Sequence, residues 1–173
     1  MTAHHLINRG FLTAPTIAPI NVENYDTSAL ELNSMGKFNT ADIDKAVVGH
    51  GRKTAAIVGD VVSQSKNLKG IMFFAATIQH AEEVMASLPQ SMSRLVTGST
   101  SSKDREKIIS DFKNQEFKYL VNVSVLTTGF DAPHVDGIAI LRATESAGLL
   151  QQIVGRGLRL SEGKDTCMIW DYA

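Results

Sequence analysis

From residue 69 onward, short apolar runs alternate with longer stretches in which apolar residues recur every three or four positions. Ile71–Ala75, Arg94–Val96, Lys118–Val123 and Ile138–Leu141 have the length and composition of strands, and Thr166–Trp170 supplies a last one. Between them, Thr77 offers an N-cap to a helix that runs to Leu88, where Pro89 stops it. Ser102–Asn114 turns Ile108, Ile109 and Phe112 to one side. Ahead of these lies a helix from Arg52 to Gln64, with Ile57, Val58, Val61 and Val62 on one face; Thr40 is a candidate cap for an earlier helix. This alternation predicts an α/β fold, a parallel sheet with helices on both faces.

The first forty residues follow a different pattern. Pro15 and Pro19 deny helix to Phe11–Ile20 and favour an extended segment, while Val22 to Leu32 mixes polar and apolar residues and leaves room for a short strand. The division expected is an extended segment over 1–39 and one domain over 40–173.

Two stretches stand out chemically. The first, Ser124-Val-Leu-Thr-Thr-Gly-Phe-Asp131-Ala-Pro-His-Val-Asp136, lies between two apolar strands and so leaves the carboxyl end of one of them. In open parallel sheets that is where ligands bind. Thr127 and Thr128 offer hydroxyls, Gly129 an accessible backbone amide, and Asp131 an acceptor for a ribose or an arginine. The second stretch is Gln152-Ile-Val-Gly-Arg156-Gly-Leu-Arg159. On a helix, positions i, i+4 and i+7 fall within roughly 60° of one another, which aligns Gln152, Arg156 and Arg159. Two guanidiniums aimed the same way suit a polyphosphate. A surface helix with spare arginines is the plain alternative.

Together these stretches resemble motifs V and VI of superfamily 2 helicases and translocases, the match to Gln-x-x-Gly-Arg-x-x-Arg being complete. Gly70–Thr77 resembles motif IV, and Arg94–Gly98 the strand that follows it. The run from Gly129 to Asp136 and the run from Gln151 to Leu160 are particularly similar to bacterial RadD-type DNA-repair helicases. The resemblance covers about Lys69 to Ala173 and implies the second RecA-like lobe of such a motor, a P-loop NTPase-type fold without the P-loop.

That resemblance carries expectations for single residues. Arg156 and Arg159 would be arginine fingers for ATP hydrolysis, with Gly129, Asp131 and Gln152 near the nucleotide. Ala76, Thr77, Thr97, Gly98, Thr127 and Thr128 would hold the phosphates of one nucleic-acid strand, with DNA favoured over RNA. ATP and Mg²⁺ would be bound mainly by a first RecA-like lobe, the intramolecular partner of this one. Single-stranded or forked nucleic acid would be the other partner. No Gly-x-x-x-x-Gly-Lys-Ser/Thr occurs; the nearest echo, Gly51-Arg-Lys-Thr54, lacks the second glycine, and there is no Asp-Glu-x-His or Asp-Glu-x-Asp. The chain alone is therefore expected to be inactive and to be part of a longer protein. The same lobe in a restriction-enzyme motor or an RNA helicase, and a stand-alone binding module that never hydrolyses ATP, are the competing readings.

Composition changes this picture little. A formal net charge of −1 argues against binding driven by bulk positive charge. The single cysteine, Cys167, sits in an apolar run and reads as a buried strand thiol, which fits a reducing cytoplasm; no metal site and no membrane span is expected. His134 has no nearby residue with which to form a catalytic pair, Arg142 reads as a solvated strand-end charge, and Lys103–Lys107 as a solvated helix face.

Overall fold

A computed structural model of the chain describes residues 15–22, 25, 30–39, 42, 51–123, 134–142 and 167–172. Its centre is a six-stranded sheet in which every pairing is parallel. In chain order the elements are β1 (Pro15–Ile17), α1 (Gly51–Gln64), β2 (Ile71–Phe74), α2 (Ile78–Ala86), a 3₁₀ turn (Gln90–Met92), β3 (Ser93–Val96), α3 (Ser102–Lys113), β4 (Tyr119–Asn122), β5 (Gly137–Ile140) and β6 (Cys167–Asp171). The spatial order is β1-β6-β5-β2-β4-β3, with β2 flanked by β4 and β5.

Alternation along each strand sorts the apolar side chains onto two faces. Ile71 and Phe73 of β2 join Tyr119, Val121, Ala139 and Trp170 under α1 and α2, which contribute Ile57, Val58, Val61, Ala81 and Val84. Met72 and Phe74 join Leu120, Ile138, Ile140, Cys167 and Ile169 under α3, which contributes Phe112 with Ile108 and Ile109 beside it. The result is the layered α/β arrangement expected, with helices on both faces. Cys167 is buried in its strand, as its apolar neighbours required.

Local chemistry sets the helix ends. Thr77 caps α2, its Oγ1 accepting from the His80 amide at 3.2 Å. Ser101 does the same for α3 through the Asp104 amide. The Lys103–Lys107 run lies on the solvated side of α3, where Lys107 pairs with Asp111 at 3.2 Å. Asn33 accepts from the amides of Met35 and Lys37, closing a turn in which Gly36 takes φ +74° and Leu32 bridges Phe38.

Two features differ from a reading of local pattern. Pro15–Ile17 belongs to the sheet itself, pairing with Cys167–Ile169. Arg142 is buried rather than solvated, because it follows β5, an interior strand covered by β2 and β6. Among the described residues no helix is long and apolar enough to cross a membrane.

Candidate functional site

Parallel pairing brings the carboxyl ends of all the strands to one edge, and the register aligns them closely. Phe74 stands opposite Asn122 and Ile140, Val96 opposite Asn122, and Ile140 opposite Asp171. The residues after those positions therefore form one rim: Ala75–Thr77 after β2, Thr97 and Gly98 after β3, and Leu141 and Arg142 after β5. Of the expected nucleic-acid contacts, this rim carries Ala76, Thr77, Thr97 and Gly98. Thr127, Thr128, Gly129, Asp131, Gln152, Arg156 and Arg159 lie outside the described residues. The segment holding the first four of these begins directly after Val123, at the same edge.

Hydrogen bonding on the rim decides what each residue can offer. The Ala76 amide donates inward to His80 Nδ1 at 3.1 Å, so this donor is already used. The Thr77 hydroxyl accepts from the His80 amide and keeps its own proton for an outside acceptor. Thr97 is buried, with its amide donating to Thr100 Oγ1 and its Oγ1 accepting from the Ser99 amide. Gly98 is exposed, and a Cβ there would meet nothing within 4 Å, so its backbone is open to a large ligand. Beside it, an open groove of about 630 Å³ runs along Thr100, Ser101 and Leu95 toward Arg94, Asp104 and Asp111. Its charges are mixed, with Arg94 and Lys107 beside Asp104 and Asp111, so the groove is not a row of cations.

Beneath the rim lies a buried polar network that the sequence reading missed. His80 is fully buried, with Nε2 2.9 Å from Tyr25 Oη, which in turn is 2.6 Å from Thr54 Oγ1 on α1. Burial pushes the Tyr25 hydroxyl up to about 12, with Glu83 adding to the rise and Thr54 opposing it. It therefore keeps its proton. A second cluster centres on Asp60, which accepts from Gln64 Nε2 at 2.9 Å, from Tyr172 Oη at 2.8 Å, and from the amide and side chain of Asn21. Burial works to raise the Asp60 carboxyl, but these hydrogen bonds outweigh it and hold it below the ordinary carboxylate range. Tyr172 is pushed upward by burial and by its bond to Asp60. One signal was visible beforehand: position 80 falls on the apolar stripe of α2 with Ala81 and Val84, an unusual place for histidine.

The amino ends of the strands are built differently. Asp136 accepts from the Lys69 amide at 2.9–3.0 Å and from the Gly70 amide at 3.0 Å. His134 is buried with its ring 4.6 Å from that of Phe112, and a Cβ at Gly70 would come within 2.8 Å of it. His134 and Asp136 thus serve packing and strand anchoring. Among the described residues no group of His, Cys, Asp or Glu could hold a metal ion.

Comparison with known proteins agrees with this architecture. In solved structures, a fragment of an HsdR subunit, assigned to a type I restriction enzyme of Vibrio vulnificus, superposes with TM-score 0.70. That match covers 96% of this chain and 33% of the other, at 24% identity. Mycobacterium smegmatis helicase Lhr, bound to ssDNA and AMP-PNP, superposes with TM-score 0.58 over 68% of this chain and 17% of its own, at 20% identity. Both are likenesses of fold. In sequence, IRC3 of Saccharomyces cerevisiae, named an ATP-dependent helicase, is 37% identical over 63% of this chain and 16% of its own length. UvrABC system protein B of Aliivibrio fischeri is 31% identical over 65% of the chain and 18% of its own. The chain thus spans under a fifth of the length of these relatives. The helicase conserved C-terminal domain matches residues 53–161, and with more than half of its length accounted for in this way the chain belongs to that family.

Proposed function

We propose that the chain is the second motor lobe of an ATP-dependent helicase or translocase that holds one nucleic-acid strand, DNA in preference to RNA, by its phosphates. The observation that carries the reading is the rim: strand register sets the Ala75–Thr77 and Thr97–Gly98 loops at one sheet edge, on either side of β4, presenting the Thr77 hydroxyl and the open Gly98 backbone. Such groups hold phosphates without reading sequence, as a motor stepping along any sequence requires. Thr127 and Thr128, outside the described residues, would add their hydroxyls to this hold by the family resemblance.

In this reading Arg156 and Arg159 reach across to a nucleotide held mainly by a first lobe, near Gly129, Asp131 and Gln152. Bound ATP with Mg²⁺ would supply the phosphoryl chemistry. The arginines of this lobe would stabilise charge on the transferring phosphoryl group only when the lobes close, making hydrolysis conditional on closure. The DNA-repair setting rests on the likeness of the motif V and VI runs to RadD-type helicases. A restriction-enzyme motor is the second reading, favoured by the fold match that extends over nearly the whole chain, N-terminal strand included.

The test is Arg156→Ala and Arg159→Ala in the protein carrying both lobes. Each is expected to cut ATP turnover by about a hundredfold or more, with Arg156→Lys rescuing little. Near-normal turnover by a normally folded Arg156→Ala protein would remove that residue from the mechanism. The 173-residue chain alone is expected to show no ATPase above background, and to bind single-stranded DNA weakly with a shallow salt slope.

A further inference from the structure

The rim loop after β2 is held from below by one residue of α2. His80 takes hold of it twice, its ring Nδ1 accepting from the Ala76 amide and its own amide donating to Thr77 Oγ1. Because Nδ1 accepts from a backbone N–H, the ring proton sits on Nε2, which then donates to Tyr25 Oη. Tyr25 Oη also shares a 2.6 Å hydrogen bond with Thr54 Oγ1, in which either hydroxyl can donate. The Ala76 amide thereby sets the direction of the bonds from Ala76 to His80 and from His80 to Tyr25.

Tyr25 belongs to no helix or strand. It lies in the segment leading away from β1, and its backbone amide donates to Tyr172 O at the far end of β6. The same segment is pinned at Asn21 by Asp60 and at Pro19 by Gln64 Nε2. Where Tyr25 stands therefore depends on how that segment lies against α1 and β6. Its hydroxyl reports this position to His80.

We propose that His80 is a positioning residue for nucleic-acid binding, and that Tyr25 makes the set of the Ala76–Thr77 loop conditional on docking of the N-terminal segment. With the relay intact, the Ala76 amide points inward and the Thr77 hydroxyl is presented outward. With it broken, the His80 Nε2–H loses its Tyr25 acceptor, the ring is freed to turn away from the Ala76 amide that fixes its tautomer, and the loop loses that anchor. This rests on the nucleic-acid reading of the rim given above.

Tyr25→Phe tests it, because the substitution keeps the ring packed edge-on against His80, 5.1 Å between centroids, and removes only the hydroxyl. Three quantities are measured on the 173-residue chain: ¹⁵N shifts of the His80 ring, exchange of the Ala76 amide, and anisotropy of a labelled oligodeoxythymidylate. The variant is expected to exchange the Ala76 amide faster, to mix the His80 tautomers and to bind the oligonucleotide about fivefold more weakly, all at temperatures where melts show it folded. Thr54→Val, a second variant that leaves Tyr25 in place but without its hydroxyl partner, is expected to move the same readouts in the same direction by less. A Tyr25→Phe chain that melts earlier yet keeps wild-type affinity and Ala76 exchange has lost only a structural bond, and the proposal falls. If the wild-type chain itself fails to bind the oligonucleotide, the nucleic-acid reading falls with it; protected Ala76 exchange then shows that the bonds exist but serve stability alone.

Discussion

The two ends of the sheet share the same strands and have opposite characters. At the amino ends, backbone donors are closed off by a carboxylate: Asp136 takes the amides of Lys69 and Gly70, and Gly70 and Gly137 leave no room for a side chain. At the carboxyl ends, the Thr77 hydroxyl keeps its proton and the Gly98 backbone is unobstructed. A parallel sheet points all its strands the same way, so it can devote one end to holding itself together and the other to a ligand. Substitutions should separate accordingly, with stability lost at one end and affinity at the other.

The largest effect is expected from Asp136→Ala, which leaves two backbone amides in a buried or half-buried setting without an acceptor. The loss is about 3 kcal/mol of unfolding free energy, read in a denaturant titration, with oligonucleotide affinity of the remaining folded protein unchanged. A parallel loss of affinity would break the division between the ends. Gly137→Ala comes next: its Cβ would collide with Ile71 and approach Trp170 to 2.9 Å, where a large buried ring has little room to move. Overpacking of this kind costs about 2 kcal/mol. A variant as stable as wild type would show that the core there can yield.

At the other end, Thr77→Ala removes both a helix cap and a rim hydroxyl. A stability loss of about 1 kcal/mol is expected together with weaker oligonucleotide binding. Thr77→Ser keeps both groups and should restore both properties; restored stability without restored affinity would take Thr77 out of the rim's chemistry.

The smallest effect is one of pH. Asp60 titrates below its ordinary value in the folded chain, so its contribution is complete above about pH 4 and is lost as pH falls through the lower folded value. Asp60→Asn should flatten the acid side of the melting-temperature profile between about pH 5 and pH 3. An unchanged profile would assign the acid sensitivity elsewhere.

What could be read in the sequence follows the range of the interactions concerned. The Thr77 cap, the stop at Pro89, the inward face of α1 and the solvated face of α3 are all set within a few residues, and local pattern was enough to find them. The rim followed from strand alternation, since parallel strands leave their connecting loops at shared ends. Local pattern missed whatever depends on distant partners. Asp136 meets Lys69 and Gly70 from the far side of two helices in sequence, and Tyr25 meets His80 and Thr54 only once the sheet has formed. Arg142 is covered because β5 lies inside the sheet, and strand order is not written in the strand. For the arginine stretch the pattern and the family likeness remain the ground of the reading.

The pairing of β1 with β6 has a consequence for the order of events during synthesis. Pro15–Ile17 emerges from the ribosome long before Cys167–Ile169, its sole partner among the described strands, exists. A contact so distant along the chain is slow to form, and this one must wait for translation to pass its other half. Until then the early strand lacks the one partner it has among the described strands, and from the moment β6 joins β5 its outer edge is a template open to strands of other chains until β1 pairs with it. Closing the sheet with a segment made earlier than β6 gives nascent protein a built-in partner for that edge, already present and tethered, ahead of any stranger.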